Sequence, residues 1–192
     1  MSENPIQQIG RYEIEREIGR GGMAIVYKAH DPHLDRVVAI KLIRRGNFTL
    51  DQLETLPERF KREARALARL NHPNIVQVYD YGYYEDMPYL VMEYIEGVTL
   101  KEVRKPLKVT AAARLLRPIA EALDYVHSQG LLHRDVKPSN IMITQDKKVR
   151  LTDFGIAKFL DDSANQQTLT GTGVGIGTPE YMVPELGMGK KI

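Results

Sequence analysis

The segment Arg36–Arg44 constrains the fold most strongly, because it is apolar on both faces if it forms a strand. Side chains alternate between the two faces of a strand. One face then carries Val37, Ala39, Lys41 and Ile43, and the other carries Val38, Ile40 and Leu42. A strand with two apolar faces needs cover on both sides. We therefore predict a buried strand whose only interior charge is Lys41.

The composition is that of an ordinary globular protein and excludes several other classes. The chain has 192 residues, 43% hydrophobic and 27% charged, so it is neither disordered nor collagen-like. It contains no cysteine, which excludes a disulfide scaffold and a thiolate metal site. Lysine and arginine number 27 against 25 acidic residues, a balance that gives no indication of a nucleic-acid partner. Apolar runs are far shorter than the roughly 20 residues of a membrane span, and the polar residues 1–8 argue against a secretory signal.

Local patterns divide the chain into a strand-rich first half and a helix-rich second half that meet near residues 93–98. Strands are predicted at 12–18, 25–29, 36–44, 75–81, 88–93, 141–143 and 149–151. Helices are predicted over 57–70 and from an N-cap at Thr110 to a stop at Gly130. Their apolar stripes are Phe60, Ala64, Leu67 and Leu70, and Leu116, Ile119, Leu123 and Val126. Pro118 is expected to kink the second helix, and residues 161–178 are expected to form a long loop.

A glycine-rich turn, Gly19-x-Gly21-Gly22-x-Ala24, separates the first two predicted strands. Its unhindered backbone can approach a polyphosphate and point N–H groups at it. An ordinary glycine hairpin turn is the alternative. The β-branched pair Ile25 and Val26 follows, where a dinucleotide-binding fingerprint needs a helix. The pattern therefore favours a flap between two strands over a dinucleotide site.

Two charged residues, Lys41 and Glu63, fall where their own elements are apolar. Glu63 lies in the stripe of the first predicted helix, between Phe60 and Leu67. Burying either charge alone is costly, so a buried lysine needs an anion and a buried glutamate needs a cation. Two interpretations stay open. The residues pair in the interior, or Lys41 reaches the surface along its aliphatic stem and Glu63 is exposed.

The octapeptide at 133–140, His-Arg-Asp-Val-Lys-Pro-Ser-Asn, places an acid, a base and an amide in one short loop. Asp135 can accept a hydroxyl proton. Lys137 can stabilise the charge of a transferring phosphoryl group, and Asn140 offers a neutral oxygen to a hard cation. A solvated polar loop is the alternative if the octapeptide is considered alone. The tripeptide Asp153-Phe-Gly155 follows the predicted hairpin and can supply a carboxylate to a metal, with its phenylalanine buried nearby.

In this order the motifs resemble the signature set of the protein kinases. The matching residues are Gly19-x-Gly21, Val26, Val38-Ala-Ile-Lys41, Glu63, His133-Arg-Asp-x-Lys-Pro-x-Asn140, Asp153-Phe-Gly155 and Val183-Pro-Glu185. The chain is most similar to the bacterial, eukaryotic-like serine/threonine kinases, through residues 21–27 and 60–63, and the resemblance covers roughly residues 10–187. Ala24 stands where the family has a third glycine, and Val183 stands where it usually has alanine.

The resemblance implies an α+β, protein-kinase-like bilobal fold. A β-rich N-lobe with one helix is expected at 1–92, a hinge at 93–97, and a partial helical C-lobe at 98–192. The family continues with further C-lobe helices after the Pro-Glu motif, so the chain is expected to be truncated after the activation segment. An inactive or weakly active fragment, or a pseudokinase-like nucleotide-binding module, is therefore the alternative to an active kinase. The presence of Lys41, Asp135, Asn140 and Asp153 argues against a pseudokinase.

The resemblance also implies a role for each matching residue. Gly19, Gly21 and Gly22 are expected to cover the ATP phosphates, and Lys41, paired with Glu63, to hold the α- and β-phosphates. Asp135 is the expected catalytic base, Lys137 the expected contact of the γ-phosphate, and Asn140 and Asp153 the expected ligands of Mg²⁺ or Mn²⁺. Adenine contacts are expected from Ile18, Val26, Ala39 and Met142, from the backbone of Glu93 and Ile95, and from Met92 as gatekeeper.

The implied reaction is transfer of the ATP γ-phosphoryl group to a serine or threonine hydroxyl of a protein substrate. Lys137 after Asp135 and Thr178 before Pro179 match the serine/threonine-specific pattern. Arg134 resembles the arginine of kinases that activation-loop phosphorylation controls. The candidate acceptors are Thr168, Thr170 and Thr172, and we expect autophosphorylation at Thr168 or Thr170, within a dimer of kinase copies. The expected location is cytoplasmic, with no membrane segment in this chain and any anchor elsewhere in a longer parent.

Overall fold

A computed structural model describes residues 6–44, 50–104, 106–155 and 181, with the backbone alone at 50–53. The loop predicted at 161–178, its three candidate threonines and the motif at 183–185 lie outside the described residues. Contacts divide the chain into two units. The first unit contains Met1–Asn71 and Val76–Glu96, and the second contains His72–Ile75 and Gly97–Ile192. The lobe and hinge boundaries expected from the sequence stay a prediction. Within the described part of the chain, no helix is long and apolar enough to cross a membrane.

The first unit is built on a six-stranded antiparallel sheet with the order β1-β2-β3-β4-β6-β5. The strands are β1 Gln8–Ile9, β2 Tyr12–Arg20, β3 Ala24–Asp31, β4 Arg36–Ile43, β5 Val78–Tyr84 and β6 Met87–Glu93. Strand β4 lies between β3 and β6, and the prediction of a buried strand is confirmed by the full burial of Val38 and Ile40. These side chains join the main core on one sheet face, with Tyr12, Tyr27, Tyr89 and Val91.

Helix α1, Leu50–Ala68, packs on the opposite face of this sheet. The ring of Phe60 meets Tyr81 and Tyr83 edge-on, with centroids 6.0 and 5.9 Å apart. Both tyrosines pair with residues of β6 whose side chains share this face. The helix begins at Leu50 rather than at 57, because Leu56 is buried and extends the apolar stripe by one turn before Phe60. Pro57 therefore lies inside the helix instead of opening it.

The second unit combines a three-stranded antiparallel sheet with one long helix. Its described elements are β7 Gly97–Thr99, α2 Val109–Ser128, β8 Ile141–Thr144 and β9 Val149–Leu151, with 3₁₀ turns at Leu100–Glu102 and Pro138–Asn140. The predicted hairpin is confirmed as β8 and β9. Ile119 of α2 packs in a core with Ile141, Val149 and Leu151. The core thus sits between the helix and the hairpin that follows the 133–140 loop.

The segment His72–Ile75 belongs to this second unit, although a strand over 75–81 was expected. Asn74 explains the difference, because its Nδ2 donates to Val149 O at 2.8 Å and its carbonyl accepts from Leu151 N–H at 2.7 Å. Ile75 forms a parallel bridge with Leu151. The strand of the first sheet consequently begins at Val78.

Helix α2 differs from its prediction at the N-terminus and agrees with it at the C-terminus. The N-cap is Lys108 rather than Thr110, because the carbonyl of Lys108 accepts the first helical hydrogen bonds, from the N–H groups of residues 111 and 112. Leu116 is 48% exposed, so it lies outside the buried stripe. Gly130 ends the helix as predicted, with φ +72° and an N–H donated to the carbonyl of residue 127. The kink expected at Pro118 stays a prediction.

Candidate functional site

The glycine turn of the first unit is closed by a hydrogen bond from Gly21 N–H to Ala24 O at 2.9 Å. A Cβ atom added at Gly22 would meet no atom within 4 Å, and one at Gly21 would meet only Ala24 O, at 3.8 Å. Neither glycine has the left-handed φ that disfavours side chains. Packing and backbone conformation therefore do not require glycine at these two positions. A bulky ligand beside the turn would require it.

Strand β2 approaches this turn through a β-bulge. Its pairing with β3 shifts between Glu17 and Gly19, which leaves Ile18 as the extra residue. Gly19 pairs with Val26, and the Cβ of a side chain at Gly19 would lie 3.8 Å from Val26 Cβ. The bulge thus places the expected adenine contact Ile18, which is exposed, directly before the glycine turn.

The register of the sheet brings most of the other predicted nucleotide contacts together on one face. Val26 pairs with Lys41, and Ala39 pairs with Met92. Ala39 and Met92 are each 7% exposed, whereas Val26 and Lys41 are half-buried. Lys41 therefore projects from the centre of the sheet with small and apolar side chains beside it. This is the face on which α1 packs.

Glu63 lies on α1 and is half-buried, between the fully buried Phe60 and the buried Leu67. Because α1 packs on the sheet face that carries Lys41, the two charges belong to facing elements of the same unit. This excludes the interpretation of Glu63 as a fully exposed helical glutamate. The direct pairing of Lys41 with Glu63 stays a prediction.

The segment after β6 contains two further predicted contacts, Glu93 and Ile95. The N–H of Glu93 donates to Gln77 O at 2.9 Å, and the Glu93 carboxylate accepts from Gln77 N–H at 3.4 Å. The backbone N–H of Glu93 is thus already used within the first unit. Ile95 is half-buried.

In the second unit, three predicted residues of the 133–140 loop lie in direct contact. Lys137 Nζ lies 2.9 Å from Asp135 Oδ2. Asn140 Nδ2 donates to the same oxygen at 3.0 Å and to the Asp135 carbonyl at 2.8 Å. Pro138 opens the 3₁₀ turn that brings Asn140 back to the start of the loop. The interpretation as a loosely solvated loop is therefore wrong.

These hydrogen bonds also orient the amide of Asn140, which is 4% exposed. Its two amide hydrogens are both directed at Asp135, so Oδ1 is the group that remains to bind a ligand. Among the described residues, Oδ1 has a long contact of 3.4 Å with Ser139 Oγ. A neutral amide oxygen held in this way is a suitable donor to a hard cation.

Asp153 lies next to Asn140, because the carbonyl of Asn140 accepts the N–H of Thr152 at 2.9 Å. Asp153 has φ 57°, and Arg134 has φ 62°. Left-handed backbone in residues other than glycine costs on the order of 1 kcal/mol or more and concentrates at functional sites. Both halves of this cluster therefore show backbone strain that the surrounding bonds hold in place. The predicted burial of Phe154 is confirmed.

His133 belongs to the motif at 133–140 but had no predicted role, and the structure shows that it connects the cluster. Its ring, 2% exposed, donates from Nε2 to Thr152 O at 2.9 Å and accepts the N–H of Asp135 at Nδ1, at 3.3 Å. The carbonyl of His133 accepts the N–H of Gly155 at 2.9 Å, and its ring centroid lies 4.6 Å from that of Phe154. A polar residue two positions before the motif's acid was the only local signal of this role.

Two observations limit how a cation could be held. The described residues contain no group of three or more histidine, aspartate or glutamate side chains arranged to bind a metal. Mg²⁺ usually keeps water ligands and takes one or two carboxylates together with substrate phosphates. Asn140 and Asp153 fit that kind of site and do not form a cage by themselves.

Met142, the remaining predicted adenine contact, lies on β8. It is half-buried and pairs with Thr99 and Arg150 within the second unit.

Comparisons with known proteins agree with this geometry. The chain is 43% identical over 197 residues to a probable serine/threonine-protein kinase of Streptomyces coelicolor, covering 99% of this chain and 28% of the relative. It is 43% identical to the serine/threonine-protein kinase PrkC of Bacillus subtilis, covering 94% of this chain and 27% of that protein. This chain thus spans little more than a quarter of the length of these curated relatives.

Solved structures show the same fold. The PknI kinase domain of Mycobacterium tuberculosis superposes with a TM-score of 0.70 and 29% identity, over 95% of this chain and 65% of that one. The apo form of PpkA-294 gives a TM-score of 0.72 and 29% identity, over 86% and 66% of the two chains. The fold is therefore the protein-kinase fold expected from the motifs. A model of the protein kinase domain family matches residues 12–191, and the chain belongs to that family.

Proposed function

We propose that this chain acts in ATP-dependent phosphorylation of serine or threonine hydroxyls in proteins. The observation that carries the proposal is the cluster in which Asp135 Oδ2 contacts both Lys137 Nζ and Asn140 Nδ2. A carboxylate held between a cation and an amide has a fixed orientation, and a catalytic base must be positioned in this way. The relatives named serine/threonine-protein kinases support an alcohol as the acceptor.

We assign nucleotide binding to the first unit, as the N-lobe, and the transfer step to the second unit, as part of the C-lobe. In the first unit, the glycine turn leaves room for phosphates, Lys41 supplies a cation, and Ala39 and Met92 supply an apolar surface for a base. The backbone of Glu93 is the first proposed contact with the edge of adenine. The backbone of Ile95 is the second proposed contact.

In the transfer step, Asp135 accepts the proton of the substrate hydroxyl. The hydroxyl oxygen forms a bond to the γ-phosphorus of ATP, the bond from that phosphorus to the β–γ bridging oxygen breaks, and ADP leaves. Lys137, whose Nζ lies 2.9 Å from Asp135 Oδ2, would stabilise the negative charge of the transferring phosphoryl group. When bound by Asn140 Oδ1 and Asp153, Mg²⁺ would neutralise charge on the phosphates.

The proposal is tested by phosphate transfer from ATP to a generic protein substrate, with Asp135→Asn as the decisive variant. Removing a general base lowers the rate by about 10²–10⁴-fold, while binding of ATP should persist. Asp124→Asn is the matched control, because it makes the same change at an exposed carboxylate on α2. Equal transfer rates for Asp135→Asn and the wild-type chain would contradict the proposal.

Regulation by phosphorylation at Thr168 or Thr170 remains a proposal, as do an autophosphorylating dimer and a cytoplasmic location. Arg134 beside the proposed base supports a role for an added phosphate, because a guanidinium binds phosphate oxygens in pairs. Mass spectrometry of actively transferring protein should find phosphate on one of these threonines. Unmodified residues 163–172 in active protein would refute autophosphorylation there.

A further inference from the structure

A second β-bulge, distinct from the one at Ile18, lies earlier in strand β2. Ile14 pairs with Ala29 and Arg16 pairs with Lys28, so Glu15 is an extra residue in the strand. A bulge redirects the side chain of its extra residue and lets two residues face one. Glu15 is thereby brought to the side of the sheet on which Lys28 projects, and their charged groups lie 2.6 Å apart.

Lys28 makes a second contact, with an aromatic ring. Its Nζ lies 5.4 Å from the ring centroid of Tyr94, within the range of a cation–π interaction. The side chains of Lys28 and Glu15 are 23% and 38% exposed. Glu15, Lys28 and Tyr94 thus form a partly shielded row of contacts that begins on β2. All three belong to the first unit.

The position of Tyr94 connects the Lys28 contact with nucleotide binding. Tyr94 lies between Glu93 and Ile95, the two residues whose backbones are proposed to contact adenine. Lys28 itself pairs with Ala39, and Ala39 pairs with Met92, so Lys28 adjoins the row of proposed apolar contacts. Because the rotamers that a side chain can adopt depend on its backbone φ and ψ, fixing the Tyr94 ring favours one backbone conformation at Tyr94.

We infer that Lys28, oriented by Glu15, is a positioning residue that holds segment 93–95 through the ring of Tyr94. The inference rests on the proposed function, because it concerns the same nucleotide. An isolated surface ion pair contributes about 0–1 kcal/mol to stability and would not affect ligand binding. The contact with Tyr94 predicts instead an effect on ATP affinity that exceeds any effect on the transfer rate.

The test compares Lys28→Met with Lys28→Arg and with two changes at Tyr94. Lys28→Met keeps the aliphatic length and removes the charge, so the KM for ATP should rise about three- to tenfold, as loss of a partly shielded cation–π contact predicts, with kcat within twofold. Lys28→Arg should restore the wild-type KM. Tyr94→Phe keeps the ring and should bind ATP normally, whereas Tyr94→Leu should resemble Lys28→Met. Lys148→Met is the control, because Lys148 forms a similar ion pair with Asp146, at 2.7 Å, on an exposed turn.

Direct titration with a fluorescent ATP analogue, together with thermal melts, separates the possible failures. If the wild-type chain binds ATP but transfers no phosphate, the proposed function is contradicted. The effect of Lys28→Met on ATP affinity can still be measured in that case. Unchanged affinity in Lys28→Met, or a lower kcat with unchanged KM, would overturn the inference. A failure of Lys28→Arg to rescue affinity would overturn it as well. Absence of nucleotide binding by the wild-type chain would overturn both proposals.

Discussion

The loop and strand residues 133–155 of the second unit differ sharply from the turn at 19–24 of the first unit. In the second unit, His133 and Asn140 are buried, and each makes hydrogen bonds to other residues of this region. In the turn, the glycines are exposed or half-buried, and a side chain at Gly22 would meet nothing within 4 Å. Contacts within the chain explain the residue types of the second region and leave Gly21 and Gly22 unexplained.

This difference indicates two separate reasons for a residue to stand at a functional site. A residue such as His133 maintains the arrangement of its neighbours, so changing it should destabilise the fold. We propose that a residue such as Gly22 instead keeps space for a bound ligand, so changing it should affect binding alone. The comparison therefore predicts which substitutions lower the free energy of unfolding and which do not.

The largest loss of stability is expected from His133→Phe. The variant keeps an aromatic ring beside Phe154 but leaves Thr152 O and Asp135 N–H without their partner. Two unsatisfied, partly buried groups should lower the free energy of unfolding by about 2–4 kcal/mol. Urea unfolding followed by circular dichroism measures the change. His127→Phe, at an exposed position in the last turn of α2, is the matched control. Equal stability of the two variants would break the distinction between the regions.

A somewhat smaller loss of stability is expected from Gly97→Ala in β7. The added Cβ would lie 2.2 Å from the carbonyl oxygen of Ile143, a backbone atom that cannot rotate away. Overpacking of this kind costs about 1–3 kcal/mol. Differential scanning calorimetry should show a lower melting temperature for this variant. An unchanged transition would mean that β7 separates from β8 at little cost.

A pH-dependent loss of stability is expected from Asp31→Asn. This variant tests whether contacts within the chain also explain residues of the first unit. Asp31 is fully buried, and hydrogen bonds from the Arg11 guanidinium, at 3.1 and 3.2 Å, lower its pKa. A pKa lower in the folded than in the unfolded chain means that the carboxylate stabilises the fold above about pH 4. That contribution disappears as the pH falls through the folded-state pKa.

At pH 7 the Asp31→Asn variant should therefore be less stable than wild type, by about 1 kcal/mol, since Arg11 is 37% exposed and solvent screens the pair. The difference should shrink as the pH falls below about 4. Denaturant titrations across this range provide the measurement. Asp124→Asn is the control, because it makes the same change at an exposed carboxylate on α2. A stability difference that grows on acidification would contradict the expected direction.

The smallest change in stability is expected from Gly22→Ala. Its free energy of unfolding should stay within about 0.5 kcal/mol of wild type, the usual range for exposed positions. Affinity for ATP should nevertheless fall by about fivefold, equivalent to roughly 1 kcal/mol, because the methyl group enters the space assigned to the phosphates. Calorimetric titration with ATP checks the affinity. Normal ATP affinity together with normal stability would remove the functional explanation of this glycine.

Much of the fold followed from local patterns, and the differences arose where pairing was not local. Strand β4 was predicted because its alternation is apolar on both faces, and Gly130 was predicted because its conformation suits a helix end. The bulges at Glu15 and Ile18 were not predicted, since they depend on the register with β3. Strand β7 was missed because three residues carry too little pattern, and β8 supplies its hydrogen bonds.

The candidate site shows the same division. The motif indicated which chemical groups are present, and Asp135, Lys137 and Asn140 were expected to act together. The connecting role of His133 was not expected, because its partners include Thr152 and Gly155, which lie beyond the β8–β9 hairpin. The contact of Lys28 with Tyr94 was also unexpected, since it joins strand β3 to the segment after β6.

The sequence by itself determined the family, the positions of most strands and which acidic, basic, amide and glycine residues are available at the candidate site. These properties depend on residue type and on periodicity along the chain. The tertiary structure alone decided which oxygen of Asp135 receives its partners, which way the Asn140 amide points and which aromatic ring Lys28 meets. Hydrogen bonds and ion pairs require particular distances and directions, and these exist only after strands, turns and helices from distant parts of the chain have come together.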